Sequence, residues 1–319
     1  MAKFKALVVV ASKLLPSLST AKVLKALAAI ALLLLVAYFV DVGEAVSLVA
    51  QADWYWLVPA VVIVQIQILL SALRWKITAN RLGLPLTTRR AISEYYLATF
   101  ANLTLPGGIT GDAARVYRNR QPKAVSMSVH SVLIERLAGQ LALLIVIMVG
   151  WMMWPLLMQG SMPEFGRRVI GSTLMVSAAL ALIVFLVVRF APEWITRKVV
   201  NFGPAIHTVL WADRQWIVQS VLSLSIVLTY MLVFLCCSYA VQAPLSLAAM
   251  ITMVPLVLLS MLIPLSIGGW GLREAAAAVL WPVVGLTSEA GIATSVLYAL
   301  VSLLACLPGL LLQLRSEPA

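Results

Sequence analysis

The sequence is poor in charged residues and in histidine. Asp, Glu, Lys and Arg make up 11% of the 319 residues, and there are 2 histidines. A soluble domain carries about 25% charged residues, whereas this chain is 62% hydrophobic and has a mean hydropathy of +1.02. No polar stretch is long enough to fold on its own in water. These features exclude a soluble enzyme or binding domain and predict an all-α polytopic membrane protein.

Cysteine is equally scarce, and the motifs of common enzymes are missing. The 3 cysteines, Cys236, Cys237 and Cys306, lie within apolar runs and show no CxxC or Cys/His metal-binding spacing. The chain contains no Walker A lysine motif, and neither His130 nor His207 belongs to a hydrolase pattern. We therefore expect no metal, no cofactor, no direct use of ATP and no catalytic residue.

Six apolar segments are long enough to cross a membrane, since about 20 residues span the hydrocarbon core. They cover residues 23–41, 54–73, 129–153, 169–190, 217–241 and 288–314. Two further apolar segments, 91–120 and 246–285, contain helix-breaking proline and glycine. These breaks consist of Pro106, Gly107, Gly108, Gly111, Pro264, Gly268, Gly269 and Gly271. Because non-helical backbone at membrane depth needs protein or a water-filled cavity beside it, we interpret both segments as re-entrant hairpins, with two full spans each as the alternative.

Basic residues mark one side of the predicted membrane protein. Lys and Arg outnumber Asp and Glu by 23 to 12, which gives a net charge of +11. They cluster at residues 1–25, 74–90, 118–123 and 197–214. Since short cytoplasmic loops retain Lys and Arg, we expect both termini in the cytoplasm and the chain in a bacterial-type inner membrane. Residues 1–22 then form a basic amphipathic cytoplasmic segment, and 23–41 a signal anchor, with a signal peptide cleaved near Ala50 as the alternative.

The order of segments is the same in the two halves of the chain. Each half consists of two spans, a broken segment and a third span, and Pro106 and Pro264 are 158 residues apart. An odd number of crossings inverts the second half relative to the first, and paired interrupted segments are typical of a transporter's central site. We therefore predict two membrane repeats of inverted topology, at residues 23–160 and 161–319.

Six ionisable residues lie within or beside segments predicted at membrane depth. They are Asp112, Arg115, Glu135, Arg136, Arg273 and Glu274. Each would cost about 2.5–3.5 kcal/mol at the centre of a span. Because three acids and three bases sum to zero, we expect them to pair with one another around one central polar cavity. A purely structural role as helix cap, salt bridge or clamp is the alternative for each pair.

Three motifs in these segments resemble a known family. The motifs are NLTLPGG at 102–108 with Gly111, Asp112 and Arg115, then SVLIERL at 131–137, and PLSIGGWGLREA at 264–275. They are similar to the transmembrane flippase-like domain of lysylphosphatidylglycerol synthases, over roughly 20–315. The likeness is to a stand-alone member that lacks the soluble synthase domain, so aminoacylation of lipid is not expected.

The resemblance implies lipid translocation between leaflets, with the six charged residues lining a central head-group cavity. We expect Arg115, Arg136 and Arg273 to hold the phosphate of an anionic phospholipid or a polyprenyl-phosphate lipid, because guanidinium groups suit phosphate. Trp270 and Asn102 are further candidate contacts.

The acids Asp112, Glu135 and Glu274 are expected to pair these charges or to carry a coupling proton. One alternative is a secondary transporter of a small hydrophilic solute. Another is an intramembrane lipid-modifying enzyme. Nucleic acid is not an expected partner.

Overall fold

The structure is a computed structural model that describes most of the chain. The described ranges are 41–105, 109–119, 125–157, 202–262 and 269–315, with the isolated residues Glu164 and Arg168. The predicted segment 1–22 and the spans at 23–41 and 169–190 fall almost entirely outside these ranges. So do the predicted break residues Pro106, Gly107, Gly108, Pro264 and Gly268.

Every regular element within the described ranges is helical. In chain order the helices are α1 (Val42–Ala50), α2 (Trp54–Arg81), α3 (Thr88–Thr104), α4 (Thr110–Arg118), α5 (Val125–Met152), α6 (Trp154–Leu157), α7 (Phe202–Ile206), α8 (Gln215–Ala240), α9 (Leu247–Ser260), α10 (Leu272–Leu280) and α11 (Ser288–Arg315). A π-helical turn at His207–Trp211 and a 3₁₀ turn at Ala212–Arg214 join α7 to α8. Another 3₁₀ turn, Trp281–Val284, follows α10.

Four described helical segments are long and apolar enough to cross a membrane. They are Trp54–Arg81, Val125–Met152, Phe202–Ala240 and Ser288–Gly309, with mean hydropathies of 2.1 to 2.3. The outward face of α2 carries Val58, Val62, Ile66, Leu69 and Leu73, each at least 40% exposed. An exposed apolar stripe at helical spacing is typical of a lipid-facing helix. The chain is therefore a multi-pass membrane protein, and four of the predicted spans are confirmed as helices of sufficient length.

Both interrupted segments contain broken helices. In the first, α3 is followed by α4, and in the second, α9 is followed by α10, where α4 and α10 each have 9 residues. A helix of this length extends about 14 Å, which is less than half of the hydrocarbon core. Neither α4 nor α10 can cross the membrane alone.

Glycine makes the packing around both breaks sterically possible, although Gly111, predicted as a break residue, is the second residue of α4 and lies within the helix. A Cβ on Gly111 would lie 2.0 Å from the carbonyl oxygen of Ala98, so the start of α4 can approach α3 this closely only with glycine. Gly269 and Gly271, before α10, have φ angles of +88° and +89°. Glycine reaches this left-handed region without the steric penalty that a Cβ imposes.

The helices of the two halves pack against one another. Helix α2 lies along α8, α3 packs against α11, and α9 packs against α5. A Cβ on Gly309 of α11 would lie 2.2 Å from Tyr96 of α3, and one on Gly150 of α5 would lie 2.7 Å from the Ile251 carbonyl oxygen of α9. Small residues allow membrane helices to approach closely and gain packing energy. This packing positions α3 and α5, which contact α4, and α9 and α11, which contact α10.

The connection from α2 to α3 and that from α8 to α9 have the same construction. Each contains a residue with positive φ, Gly83 at +75° and Gln242 at +59°. Each then continues with proline, leucine and a helix-capping hydroxyl residue, namely Pro85, Leu86 and Thr87 or Pro244, Leu245 and Ser246. The helices that precede the two breaks therefore begin in the same way.

Candidate functional site

Four of the six predicted charged residues meet between α4 and α5. Helix α4 supplies Asp112 in its first turn and Arg115 three residues later, and α5 supplies Glu135 and Arg136. Arg115 donates from Nη1 to Glu135 Oε2 at 3.1 Å and from Nη2 to Asp112, and Arg136 also donates to Asp112. Adjacent residues on a helix point about 100° apart, so Glu135 and Arg136 reach different partners.

Two residues outside the predicted set, Arg74 of α2 and Tyr95 of α3, complete this arrangement. Arg74 donates from Nη2 to Glu135 Oε1 at 3.2 Å and from Nη1 to Ser223 Oγ of α8 at 2.9 Å. The Tyr95 hydroxyl donates to Glu135 Oε1 at 2.8 Å. Glu135, which is 1% exposed, therefore accepts hydrogen bonds from three helices. A buried carboxylate needs such partners to offset its loss of hydration.

We refer to Arg74, Asp112, Arg115, Glu135 and Arg136 as the first charge group. The guanidinium of its central member, Arg115, lies 4.7 Å from the ring centre of Trp75 and 4.5 Å from that of Tyr95. Aromatic faces attract a cation. Arg115 is thus fixed by two carboxylates and two rings.

A polar stripe on α2 is the sequence signal that points to Arg74. Gln67, Ser71, Arg74 and Thr78 recur at intervals of three and four residues in an apolar helix, and all four are buried. The hydropathy pattern predicts Arg74 in a loop after a span ending at residue 73, but α2 continues to Arg81. Arg74 therefore lies on the buried face of α2 and not in a surface loop.

Asn102 connects the end of α3 to the start of α4. Its side-chain oxygen accepts from the backbone N–H of Gly111 at 2.8 Å, and its Nδ2 lies 3.4 Å from Asp112 Oδ2. Ile109, the residue before α4, provides no capping side chain, so Asn102 satisfies an amide that the helix itself cannot. Asn102 thereby orients Asp112 within the first charge group.

Arg273 and Glu274 pair with each other, and we call them the second charge group. Arg273 Nη2 donates to Glu274 Oε1 at 2.6 Å, and the Gly271 N–H donates to Glu274 Oε2 at 2.6 Å, which caps α10. Ser295 Oγ accepts from Arg273 Nε at 2.8 Å and donates to Glu274 Oε1 at 3.1 Å. Trp270 contributes a ring whose centre lies 5.4 Å from the Arg273 guanidinium.

The six predicted residues thus form two groups, contrary to the expected single cluster. Tyr298 of α11 lies against Arg273 of the second group, with its ring centre 5.2 Å from the guanidinium. Among the described residues, no ion pair joins the two groups.

The six predicted residues are balanced in charge, but Arg74 adds a further cation to them in the described structure. The first charge group contains three arginines and two carboxylates, while the second contains one of each. The extra cation is Arg74. Moreover, Arg74 Nε, Arg115 Nε and Arg273 Nη1 are buried without a hydrogen-bond partner in the described structure. Buried donors are nearly always satisfied, so these nitrogens are available to an anion or to water.

A cleft of about 100 Å³ reaches the first charge group from one end of the helix bundle. It lies where α2 ends and α3 and α5 begin, and Arg115 is part of its lining. The predicted cavity was central and lined by all six charges. The described cleft is a different feature, since Arg115 is the one residue of the predicted six that lines it.

These features define a multi-pass helical membrane protein that buries paired charges at two broken helices. The sequence matches the family described as "Lysylphosphatidylglycerol synthase TM region" over residues 22–309, and the chain belongs to this family. No curated protein and no solved structure gave a match. The predicted family is therefore confirmed.

Proposed function

We propose that this protein moves a phosphate-bearing lipid between the two leaflets of a membrane. The single observation that carries the proposal is the first charge group, which holds one more arginine than carboxylate inside an apolar helix bundle. An excess of positive over negative charge among buried side chains is costly in the bilayer. An anionic ligand offsets that cost, and a lipid phosphate is the anion most available there.

Arginine is well suited to this ligand. Its planar guanidinium binds phosphate through two parallel hydrogen bonds and stays charged in apolar surroundings. Arg115 and Arg136 approach the same carboxylate, Asp112, so both can turn donors towards one phosphate. Arg136 is the more accessible, with its side chain 37% exposed. Arg273 is the third candidate ligand, through Nη1.

We propose no chemical step. Asp112 and Glu135 accept hydrogen bonds from arginine, and Glu274 accepts from Arg273, so the buried acids are placed to balance charge. Carriage of a coupling proton by one of them is compatible with the same pairing, since protonation of a carboxylate would release its arginine to a phosphate. An intramembrane enzyme would instead need a nucleophile next to a base.

An inverted repeat provides a mechanism for alternating access. We infer that α2, α3, α4 and α5 correspond to α8, α9, α10 and α11, because the paired helices begin 159 to 163 residues apart. The packing is reciprocal as well, since α3 contacts α11 as α9 contacts α5. In transporters with inverted repeats, rocking of one repeat against the other exposes the site to each side in turn.

The short helices α4 and α10 are the parts that such rocking would move past each other. Each follows a break, and each has an acid of its charge group in its first turn, namely Asp112 in α4 and Glu274 in α10. Since neither can cross the bilayer alone, we propose that the broken segments 91–120 and 246–285 are re-entrant.

The distribution of charge supports an orientation. Lys76, Arg81, Arg89, Arg90 and Arg118 lie at one end of the described bundle. Asp53 caps the opposite end of α2, Asp41 and Glu44 lie at the start of α1 just before it, and Glu289 begins α11, which packs against α1. By the positive-inside rule, we propose that the basic end, which contains the cleft, faces the cytoplasm of a bacterial-type inner membrane.

Reconstitution into liposomes tests the proposed function. Vesicles contain a head-group-labelled phosphatidylglycerol or a labelled polyprenyl phosphate, and a membrane-impermeant quencher reports the fraction of label in the outer leaflet. We expect faster exchange than in protein-free vesicles for at least one of these lipids. We expect Arg136→Gln to slow it at least tenfold, because the accessible arginine no longer binds phosphate.

The matched control is Arg118→Gln, which removes the same charge from an arginine outside both charge groups and should leave exchange within twofold of the wild type. If neither lipid exchanges faster than in empty vesicles, the proposal is wrong. If a labelled hydrophilic solute crosses instead, the protein is a solute transporter.

A further inference from the structure

The cleft beside the first charge group has the lining of an anion site. Its polar side chains are Arg90, Arg115, Asn119, Ser128 and Ser131. No acidic residue is found among the described residues that line it. The remaining lining is Trp75 and small or apolar side chains of α2, α4 and the connection from α2 to α3. Among the described lining residues, a ligand in this cleft meets two positively charged side chains and no negatively charged one.

The two cations lie at different depths. Arg115 is 1% exposed, and its Nη1 and Nη2 bind Glu135 and Asp112, which leaves Nε without a hydrogen-bond partner. Arg90 is exposed, and its Nη2 donates to the Arg118 carbonyl oxygen at 3.0 Å. Arg90 also lies in the first turn of α3, where the helix dipole favours an anion. An anion can therefore pass from the exposed arginine to the buried one.

The neutral groups of the cleft suit a hydroxyl-bearing head group. Asn119 Oδ1 is buried and has no hydrogen-bond partner in the described structure, while Asn119 Nδ2 donates to the Arg115 carbonyl oxygen at 3.0 Å. Ser128 Oγ donates to the Asn119 carbonyl oxygen at 3.2 Å, so its lone pairs remain able to accept. Head-group hydroxyls can donate to these oxygens. An ammonium group would find no carboxylate among the described lining residues to balance its charge.

The outer face of α5 provides a path for acyl chains. Val129 follows Ser128 of the cleft, and Val125, Val129, Leu133, Leu137 and Leu141 form an exposed apolar stripe along the helix. A lipid can therefore leave its tails against this stripe while its head group enters the cleft. A free anion would not use the stripe, which favours a lipid as the source of the phosphate.

We propose that this cleft binds the phosphodiester of an anionic lipid whose head group carries no cation, such as phosphoglycerol, and discriminates against the aminoacylated, cationic form of that lipid. The proposal rests on the proposed function in taking a membrane lipid as the ligand. It goes further in assigning the binding site to Arg90, Arg115 and Asn119, on the proposed cytoplasmic side. The volume of about 100 Å³ admits a phosphate group and part of a small polar substituent.

Binding of short-chain lipids to the purified, detergent-solubilised protein tests this assignment. Calorimetric titrations compare dihexanoyl-phosphatidylglycerol, its lysyl ester, dihexanoyl-phosphatidylcholine, glycerophosphoglycerol and inorganic phosphate. We expect phosphatidylglycerol to bind at least tenfold more tightly than each of the other four. Arg90→Gln should weaken its binding about five- to tenfold, because a charge-assisted contact to phosphate is lost.

Arg89→Gln is the matched control. It removes the same charge from the neighbouring residue, which is exposed and does not line the cleft, and we expect less than a twofold change. Equal effects of the two variants would overturn the site. Equal affinity for the lysyl ester or for phosphatidylcholine would overturn the head-group selectivity. If glycerophosphoglycerol or phosphate bound as tightly as the lipid, the ligand would be a soluble anion.

Liposome exchange separates this proposal from the proposed function. Exchange of lipid by the wild type without an effect of Arg90→Gln on binding contradicts the cleft assignment alone. Binding that depends on Arg90 in a protein that exchanges no lipid contradicts the transport function and supports the cleft assignment.

Discussion

The two charge groups occupy corresponding positions in their helices and differ in composition. Asp112 is the third residue of α4, and Glu274 is the third residue of α10. Glu135 is the eleventh residue of α5, whereas the eleventh residue of α11 is Tyr298. An acid therefore stands at the start of both short helices. The second acid occurs in the first half only, and a tyrosine that contacts Arg273 takes its place in the second.

The arginines differ in the same way. Arg136 of α5 corresponds in helix position to Ala299 of α11, and Arg74 of α2 corresponds to Leu235 of α8. In the second half this acid caps the helix, since the Gly271 N–H donates to Glu274, whereas at α4 the Gly111 N–H donates to Asn102 and Asp112 binds arginine. The excess positive charge belongs to the first half. If the halves alternate in exposing a lipid, its phosphate is held mainly by the first half throughout the cycle.

Replacement of Glu135 is expected to have the largest effect. Glu135→Gln leaves Arg74 and Arg115 without a shared counter-ion, and breaking a buried ion pair costs about 3–5 kcal/mol. We expect the free energy of unfolding, measured by titration with sodium dodecyl sulfate in mixed micelles, to fall by this amount. Lipid exchange should also be lost.

The control for this change is Glu44→Gln, at an exposed acid of α1, with an expected change below about 0.5 kcal/mol. A loss under about 1 kcal/mol for Glu135→Gln would contradict the view that this acid organises the first charge group.

Replacement of Glu274 tests the second charge group. Glu274→Gln removes the counter-ion of one arginine, and the glutamine oxygen can still accept from the Gly271 N–H. We therefore expect a smaller loss of unfolding free energy, about 2–3 kcal/mol, measured in the same mixed micelles. If Glu274→Gln destabilised the protein more than Glu135→Gln, the second group would be the principal electrostatic site and the comparison would be reversed.

The sequence was sufficient to predict features that depend on local pattern. The presence of the four described spans follows from hydropathy, although α2 continues beyond its predicted end at residue 73 to Arg81. The breaks follow from glycine and proline, and the pairing of Asp112 with Arg115 follows from their separation by three residues on a helix. The different directions of Glu135 and Arg136 follow from helix geometry. Each of these needs knowledge of one helix only.

The choice of partners between helices could not be predicted in the same way. Whether Glu135 would pair with Arg273 or with Arg74 depends on how α2, α4 and α5 pack. The distances between these helices cannot be read from the pattern of one sequence. The separation into two charge groups is such a tertiary property. Arg74 was not among the predicted site residues because it lies next to several cations of a predicted cytoplasmic loop. The buried polar stripe of α2 to which it belongs was therefore not recognised.

Two tyrosines provide a finer comparison of the groups. Tyr95→Phe removes a hydrogen bond to the Glu135 carboxylate and keeps the ring that lies against Arg115, so we expect a loss of about 1.5–2 kcal/mol. Tyr298→Phe keeps the ring that lies against Arg273, and we expect less than about 1 kcal/mol. Both values can be read from unfolding titrations. A larger effect at Tyr298 would show that its hydroxyl, and not its ring, supports the second group.

The smallest effect is expected just outside the first charge group. Arg118 follows Arg115 by three residues on α4 and pairs with Glu94 at 2.8 Å, but its side chain is 32% exposed. Partly exposed ion pairs contribute about 0.2–1 kcal/mol, because water screens the charges and remains available to both partners. We therefore expect Arg118→Gln to lower the free energy of unfolding by less than about 1 kcal/mol. An effect as large as that of Glu135→Gln would mean that the whole of α4, and not the buried charge group alone, determines the stability of this half.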